Sequence, residues 1–293
     1  MKIHSLLAIV VLVLAASNLP AQQPPRSYVY REIAGQKLGA FVFLPEGRDA
    51  TTPRAAVVLV HGGAWTLGTA EWTFAAARRF ADWGLVAVAI DYRLSKNGCT
   101  PIEALDDTRT AFRWLREHAA EFAIDPTRVA GYGVSAGGQL VSVAALGRFA
   151  DEGPAGPGSR PDVLLLWSPA VFAPAHLLPG GIKASDHSPM DLVGPLAPPT
   201  CIINGDMDTA TPLVDAKRFR DLLVRAGAVC ELHVYPGVGH LLTRDVANQR
   251  DKFDPDPKFT EDAYAEIERF LRERGYLAGR TTAGRPIRGG PPG

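Results

Sequence analysis

Tyr132-Gly133-Val134-Ser135-Ala136-Gly137 joins the end of a short apolar run to a helix-period stretch of small and apolar residues over 136–149. A serine therefore sits on a sharp strand-to-helix turn, with glycines two residues before and two residues after it. Glycines there let the backbone fold back on itself with no Cβ in the way. The helix N-terminus beneath the turn offers unpaired N–H groups and a positive dipole end to an anion. A serine helix cap is the plainer reading of Ser135, but a cap requires neither glycine. Chance alone gives G-x-S-x-G about once in ten chains of this composition, so the surroundings must carry the argument.

On either side, the runs at 55–60, 85–90, 163–166 and 201–203 are continuously apolar, the pattern of strands buried on both faces of a parallel sheet. Helical periodicity follows at 71–83, 102–118, 214–226 and 261–274. Strand and helix alternate, which predicts a doubly wound α/β sheet with right-handed crossovers and a ligand site at the carboxyl ends of its strands. Ahead of it, alternation at 28–33 and 38–44 predicts an antiparallel hairpin around Gly35. Residues 170–198 hold five prolines and no helical period, and read as a short irregular excursion over the sheet edge.

The chain has 293 residues, 46% hydrophobic and 21% charged, an ordinary composition for one large domain. Its 31 basic and 31 acidic side chains cancel, removing the attraction that drives nucleic-acid binding, so no nucleic-acid partner is expected. Cys99, Cys201 and Cys230 have no ligand spacing, which argues against a zinc module or a disulfide scaffold. Cys201 and Cys230 open neighbouring predicted strands, so a bridge and three free thiols both stand as readings. Lys2, an apolar run at 6–16 and small or turn-forming residues to Ala21 read as a secretory signal peptide over 1–21. That run is about half the length needed to span a bilayer. The expectation is export, secreted or periplasmic, with no membrane attachment after cleavage; an uncleaved anchor is the competing reading. A catalytic domain over 22–279 and a disordered Gly/Pro/Arg tail over 280–293 complete the division.

A serine hydroxyl needs a base, and the base needs an orienting group. Of the seven histidines, only His240 follows the last predicted strand, in the glycine-rich loop Pro236-Gly237-Val238-Gly239-His240. The preceding strand runs into Asn204-Gly205-Asp206-Met207-Asp208, where Asp208 is the first choice as acid and Asp206 the fallback. His61-Gly62-Gly63-Ala64-Trp65 follows the first buried strand at the same edge. The N–H groups of Gly62 and Gly63, with that of Ala136, are candidate oxyanion donors. His61 is expected to hold that turn and Trp65 to line the substrate cleft, with Arg93, His176 and the 243–258 loop as rim candidates.

In order, HGGAW (61–65), DYRL (91–94), GVSAG (133–137), NGDMD (204–208) and GVGH (237–240) resemble the α/β-hydrolase superfamily from residue 28 to residue 275. The set looks closest to the hormone-sensitive-lipase-like and acetyl-xylan and feruloyl esterase branch. The resemblance implies an α/β-hydrolase fold, Ser135 as nucleophile, Asp208 and His240 as its relay, and Gly62, Gly63 and Ala136 as the oxyanion hole. It implies carboxylic-ester hydrolysis through an acyl-enzyme, with neither metal nor organic cofactor. Ala64 stands where HGGG lipases have a third glycine, which weakens any inference to bulky tertiary-alcohol esters. The short excursion leaves no large lid, pointing to short acyl groups, acetyl or feruloyl on a small-molecule or polysaccharide-linked ester. HGGxW also resembles the kynurenine formamidases, and the triad order is shared with prolyl oligopeptidases, though no stretch here is long enough for a propeller. Non-catalytic binding proteins on this fold usually lack a triad member, and none is missing. Oligomeric state is not written in the sequence.

Overall fold

The hairpin around Gly35 forms as β1 (Arg26–Ile33) and β2 (Gln36–Phe43), paired antiparallel across Ala34 and Gly35 at φ 50° and 77°. Two positive φ values mark the turn whose twist suits the strands it joins. In this computed structural model the described residues are 24–47, 52–147, 149 and 158–277. The expected signal peptide (1–21) and tail (280–293) lie outside them.

Six further strands complete the sheet: β3 (Arg54–Val60), β4 (Val86–Ile90), β5 (Ile124–Val134), β6 (Val163–Trp167), β7 (Thr200–Gly205) and β8 (Cys230–Tyr235). Their order is β1-β2-β4-β3-β5-β6-β7-β8, antiparallel only where β2 meets β1 and β4. The helices are α1 (Phe74–Asp82), α2 (Pro101–Glu117), α3 (Ala119–Phe122), α4 (Ala136–Leu146), α5 (Pro189–Leu192), α6 (Leu213–Arg225) and α7 (Pro257–Glu273). Side chains alternate along each strand, so Ala56, Val58 and Val60 of β3 lie in the layer that holds α2, α4 and α6, while Val57 and Leu59 lie in the layer that holds α1 and α7. Phe112 and Phe219 are fully buried in the first layer and Phe80 and Phe270 in the second. Each such ring contributes about 2–3 kcal/mol through burial.

Where elements depart from the sequence reading, local chemistry explains it. β5 starts at Ile124 because the polar stretch from Asp125 to Arg128 stays in the strand through a register shift against β3. α7 starts at Pro257 because the Asp256 carboxylate accepts the N–H groups of Lys258 (2.9 Å) and Phe259 (3.0 Å), with proline at the position where a helix needs no donor. The loop read as 243–258 therefore ends at Asp256. The proline-rich excursion is built of short turns at Ala175–Leu177 and Ala184–His187 and of α5, tied down by the Met190 N–H on the Val171 carbonyl at 3.0 Å.

The cysteine alternatives resolve as free thiols. Cys230 pairs with Thr200 and Cys201 with Glu231, one step out of register. Cys201 thus faces the α1 and α7 layer and Cys230 the opposite one, and a disulfide cannot reach through the sheet.

Register also brings the functional edge together. Val60 aligns with Gly133, Val134 with Trp167, Trp167 with Ile203, and Gly205 with Tyr235, so the segments after β3, β5, β6, β7 and β8 emerge side by side. α4 lies tight on that edge. A Cβ on Gly137 would fall 2.2 Å from the Val60 carbonyl oxygen, and one on Gly133 2.5 Å from the Gly137 oxygen. Gly137→Ala should accordingly destabilise the fold by about 3 kcal/mol or more, whereas Gly180→Ala, which meets nothing within 4 Å, should stay within about 0.5 kcal/mol. Urea unfolding midpoints of the two variants check the contrast.

Candidate active site

Ser135 enters α4 with φ 52° and ψ −115°, a backbone state that costs a non-glycine residue about 1–3 kcal/mol unless its surroundings over-determine it. They do. Its N–H donates to the Trp167 carbonyl (3.0 Å), and its own carbonyl accepts from Gly138 (2.9 Å) and Ala170 (3.0 Å). The serine side chain makes no capping hydrogen bond. Instead its Oγ lies 3.0 Å from His240 Nε2.

His240 is buried in the loop after β8, and its Nδ1 lies 2.9 Å from Asp208 Oδ2. An ionised carboxylate only accepts, so Nδ1 carries the proton and Nε2 is left to accept from the serine hydroxyl. Asp208 is itself fixed. Its Oδ1 accepts the N–H groups of Ala210 (2.9 Å) and Thr211 (2.8 Å), and the Thr211 hydroxyl donates to Oδ2 at 2.8 Å. The fallback acid, Asp206, is exposed and accepts the Gly237 N–H at 2.7 Å, so it shapes the turn and does not meet the imidazole.

The turn after β3 comes up against the serine. A Cβ on Gly62 would lie 3.2 Å from the Ser135 Cβ, and one on Gly63, at φ +112°, 2.0 Å from the Leu67 oxygen. The Gly63 carbonyl accepts the N–H groups of Thr66 (3.0 Å) and Leu67 (3.1 Å). Among the described residues no backbone carbonyl takes up the Gly62 or Gly63 N–H. Ala136, first in its helix, has an N–H with no partner within the helix.

Other expectations move. Trp65 is only 9% exposed, and its indole N–H donates to Gln139 Oε1 at 2.9 Å. Gln139 in turn donates to the His187 carbonyl at 2.7 Å, so Trp65 is part of a strut between the glycine turn, α4 and the excursion. Arg93 is not on the rim either. Its guanidinium grips the fully buried Asp107 carboxylate, Nε to Oδ2 at 2.8 Å and Nη2 to Oδ1 at 2.9 Å, and Arg31 joins from β1 at 2.8 Å. His176 is exposed on the excursion. The segment after His240 does reach the site, with the Phe253 ring 5.9 Å from the imidazole.

Three supports were not singled out from the sequence. Ser168, at φ 44° just past β6, accepts the Leu241 N–H on its hydroxyl at 3.1 Å. Thr211 holds Asp208, and Gln249 contacts the histidine loop. Ser168 and Thr211 stand close after a strand and after the acid, a placement that would have flagged them; Gln249 carries no such signal. Among the described residues no group of three or more His, Cys, Asp or Glu side chains is placed to hold a metal ion.

His61 is buried, stacks on Tyr92 at 4.2 Å and donates from Nδ1 to the Gly62 carbonyl at 2.6 Å. Burial pushes its pKa down. The unfolded chain then binds the proton more readily, so His61 lowers stability as pH falls below the unfolded value of about 6.5. His61→Asn should show a shallower loss of urea midpoint than the unmodified chain between about pH 6.5 and 5. Equal slopes would mean that His61 does not gain a proton on unfolding.

Residues 42–152 match the family model described as BD-FAE, and residues 181–265 the one described as Prolyl oligopeptidase family. The first segment holds Gly62, Gly63 and Ser135, and the second Asp208 and His240. Carboxylesterase NlhH of Mycobacterium tuberculosis is 39% identical over 124 residues, 41% of this chain and 36% of its own length. The probable isoprenylcysteine alpha-carbonyl methylesterase ICME of Oryza sativa subsp. japonica is 25% identical over 273 residues, 80% of this chain and 63% of its own. The chain thus spans between about one third and just under two thirds of these two curated relatives. Among solved structures, Thermogutta terrifontis esterase 2 phosphorylated by paraoxon superposes with a TM-score of 0.79 at 25% identity, covering 89% of this chain and 98% of that one. The mostly parallel eight-stranded sheet, its two helix layers and this superposition agree: the chain has the α/β-hydrolase fold, and the relatives it resembles within that superfamily are esterases.

Proposed function

We propose that the chain is a secreted serine carboxylic-ester hydrolase acting on short-acyl esters, with acetyl or feruloyl groups on carbohydrate as the favoured class. The observation that carries this is the continuous line from Ser135 Oγ to His240 Nε2 (3.0 Å) and from His240 Nδ1 to Asp208 Oδ2 (2.9 Å), on a serine held at a strained elbow. His240 takes the serine proton as Oγ attacks the ester carbonyl, Asp208 holds the imidazole tautomer, and the alcohol leaves with the proton returned by His240. Water then repeats the cycle on the acyl-enzyme. The N–H groups of Gly62, Gly63 and Ala136 are assigned to the tetrahedral oxyanion, where each donor is worth about 3 kcal/mol.

Esterase relatives support the reaction class, and the short turns of the 170–198 excursion support a small acyl group. Export rests on the apolar run and small residues of 1–21. The match of residues 181–265 to the prolyl oligopeptidase family favours one second reading, a peptidase.

Purified protein should hydrolyse p-nitrophenyl acetate and butyrate faster than the octanoate, and Ser135→Ala should lower kcat by about 10⁴-fold or more. Paraoxon, which phosphorylates the Thermogutta enzyme, should add one phosphoryl group to this chain and none to Ser135→Ala. Turnover of a prolyl anilide in place of the esters would replace the esterase reading with the peptidase one. No turnover of any of them would remove both.

A further inference from the structure

The segment leaving the His240 loop folds back on itself, with Thr243 paired to Pro255 and Arg244 bound to Asp254 at 2.7 Å. Inside that fold Gln249 is 4% exposed. Its Oε1 accepts the N–H groups of His240 (2.8 Å) and Thr209 (3.0 Å), and its Nε2 donates to the carbonyls of Met207 and Val246, both at 2.9 Å. Two backbone donors meet the oxygen and two backbone acceptors meet the nitrogen, so the amide has one orientation only. One side chain therefore joins the backbone of residue 240 to the backbone on both sides of Asp208. The contact is tight: a Cβ on Gly239 would fall 2.3 Å from the Gln249 carboxamide carbon. Besides the two contacts at the imidazole Nδ1 itself, Asp208 Oδ2 at 2.9 Å and the Thr211 hydroxyl at 3.1 Å, the other direct ties between the two loops among the described residues are Met207 N–H to the Val238 carbonyl (3.0 Å), Asp206 N–H to the Tyr235 carbonyl (2.9 Å) and Gly237 N–H to the Asp206 carboxylate (2.7 Å). The last three lie upstream of His240, so Gln249 is what ties the His240 backbone to the acid loop.

We infer that Gln249 is a positioning residue that sets the distance between Asp208 and His240, an inference resting on the catalytic reading of those two residues given above. It touches no reacting atom. Without it, the His240 N–H and the Met207 carbonyl lose their common partner, and the two loops can drift apart at the 2.9 Å contact on which the imidazole depends. Displacements of about 1 Å in such a line cost on the order of 100-fold in rate.

The test uses Gln249→Met, which keeps the side-chain length and removes all four hydrogen bonds, and Gln249→Glu, which keeps an oxygen to accept from His240 and Thr209. Two quantities are read: kcat and KM on p-nitrophenyl acetate, and the low-field proton NMR resonance of the His240 Nδ1–H, assigned by its loss in His240→Ala. Gln249→Met should lower kcat by about 10- to 100-fold with KM within about twofold, and weaken or shift that resonance. Gln249→Glu should recover part of both. An unchanged kcat and an unchanged resonance in Gln249→Met would overturn the inference, whatever happens to its melting temperature. Should Gln249→Met fail to fold, the same pair of readings on Gln249→Glu decides, with both unchanged as the overturning result. The resonance needs no turnover. A protein that hydrolyses no ester but whose resonance responds to Gln249 would keep the tether and lose only the esterase reading.

Discussion

The close seat of α4 on β3 and β5 is the constraint on which the site depends. No Cβ fits at Gly133 or Gly137, because backbone of the neighbouring elements already fills the space. That approach forces the chain to turn within one residue, and the residue left at the turn is Ser135, in a conformation that a serine would not choose alone. The energy that holds it there comes from elsewhere. Leu140, Val141 and Val143 of α4 are fully buried among β3, β5 and the flanking helices, and their burial outweighs a local strain of about 1–3 kcal/mol.

The other two members of the line sit on loops, where no helix enforces geometry. Their rigidity comes from satisfying backbone N–H and carbonyl groups with buried side chains. Thr211 and the N–H groups of residues 210 and 211 hold Asp208, Ser168 holds the chain just after His240, and Gln249 holds His240 from the far side. A buried polar group left without a partner costs about 1–3 kcal/mol, so each of these side chains is bound to its place as firmly as it binds the loop. The Arg31, Arg93 and Asp107 cluster does the same for the segment after β4, whose Tyr92 hydroxyl donates to the His61 carbonyl (3.1 Å) beside the glycine turn.

Much of this was legible because parallel strands are buried on both faces and announce themselves as apolar runs. Ser135 and Asp208 each follow such a run, His240 follows the half-exposed edge strand β8, and the register of the sheet then brings all three to one edge. What the runs do not encode is where a side chain points. Trp65 and Arg93 stand at the same edge in sequence terms, yet one is spent on Gln139 and the other on Asp107. Asp208, the first choice of acid from its spacing past β7, is the carboxylate that faces inward onto the imidazole, while Asp206 is taken up by the Gly237 N–H. Gln249 was hidden for a further reason. Its partners are backbone atoms brought to it by the fold-back of residues 244–256, and a backbone atom has no letter in the sequence.

The placement of Cys201 and Cys230 has a bearing on assembly. The two thiols lie on opposite faces of adjoining strands, and only a one-residue slip of β8 along β7 would turn them to the same side. Burial also pushes the Cys230 pKa up to about 12, so little thiolate is present to begin an exchange. An oxidant can therefore link this pair only where the last strand is undocked or docked in the wrong frame. Such a link would preserve the error, with every side chain of β8 on the wrong face and the loop bearing His240 displaced with it. The reduced pair is in this sense a mark of correct strand alignment, and the native fold owes nothing to a covalent staple between these strands.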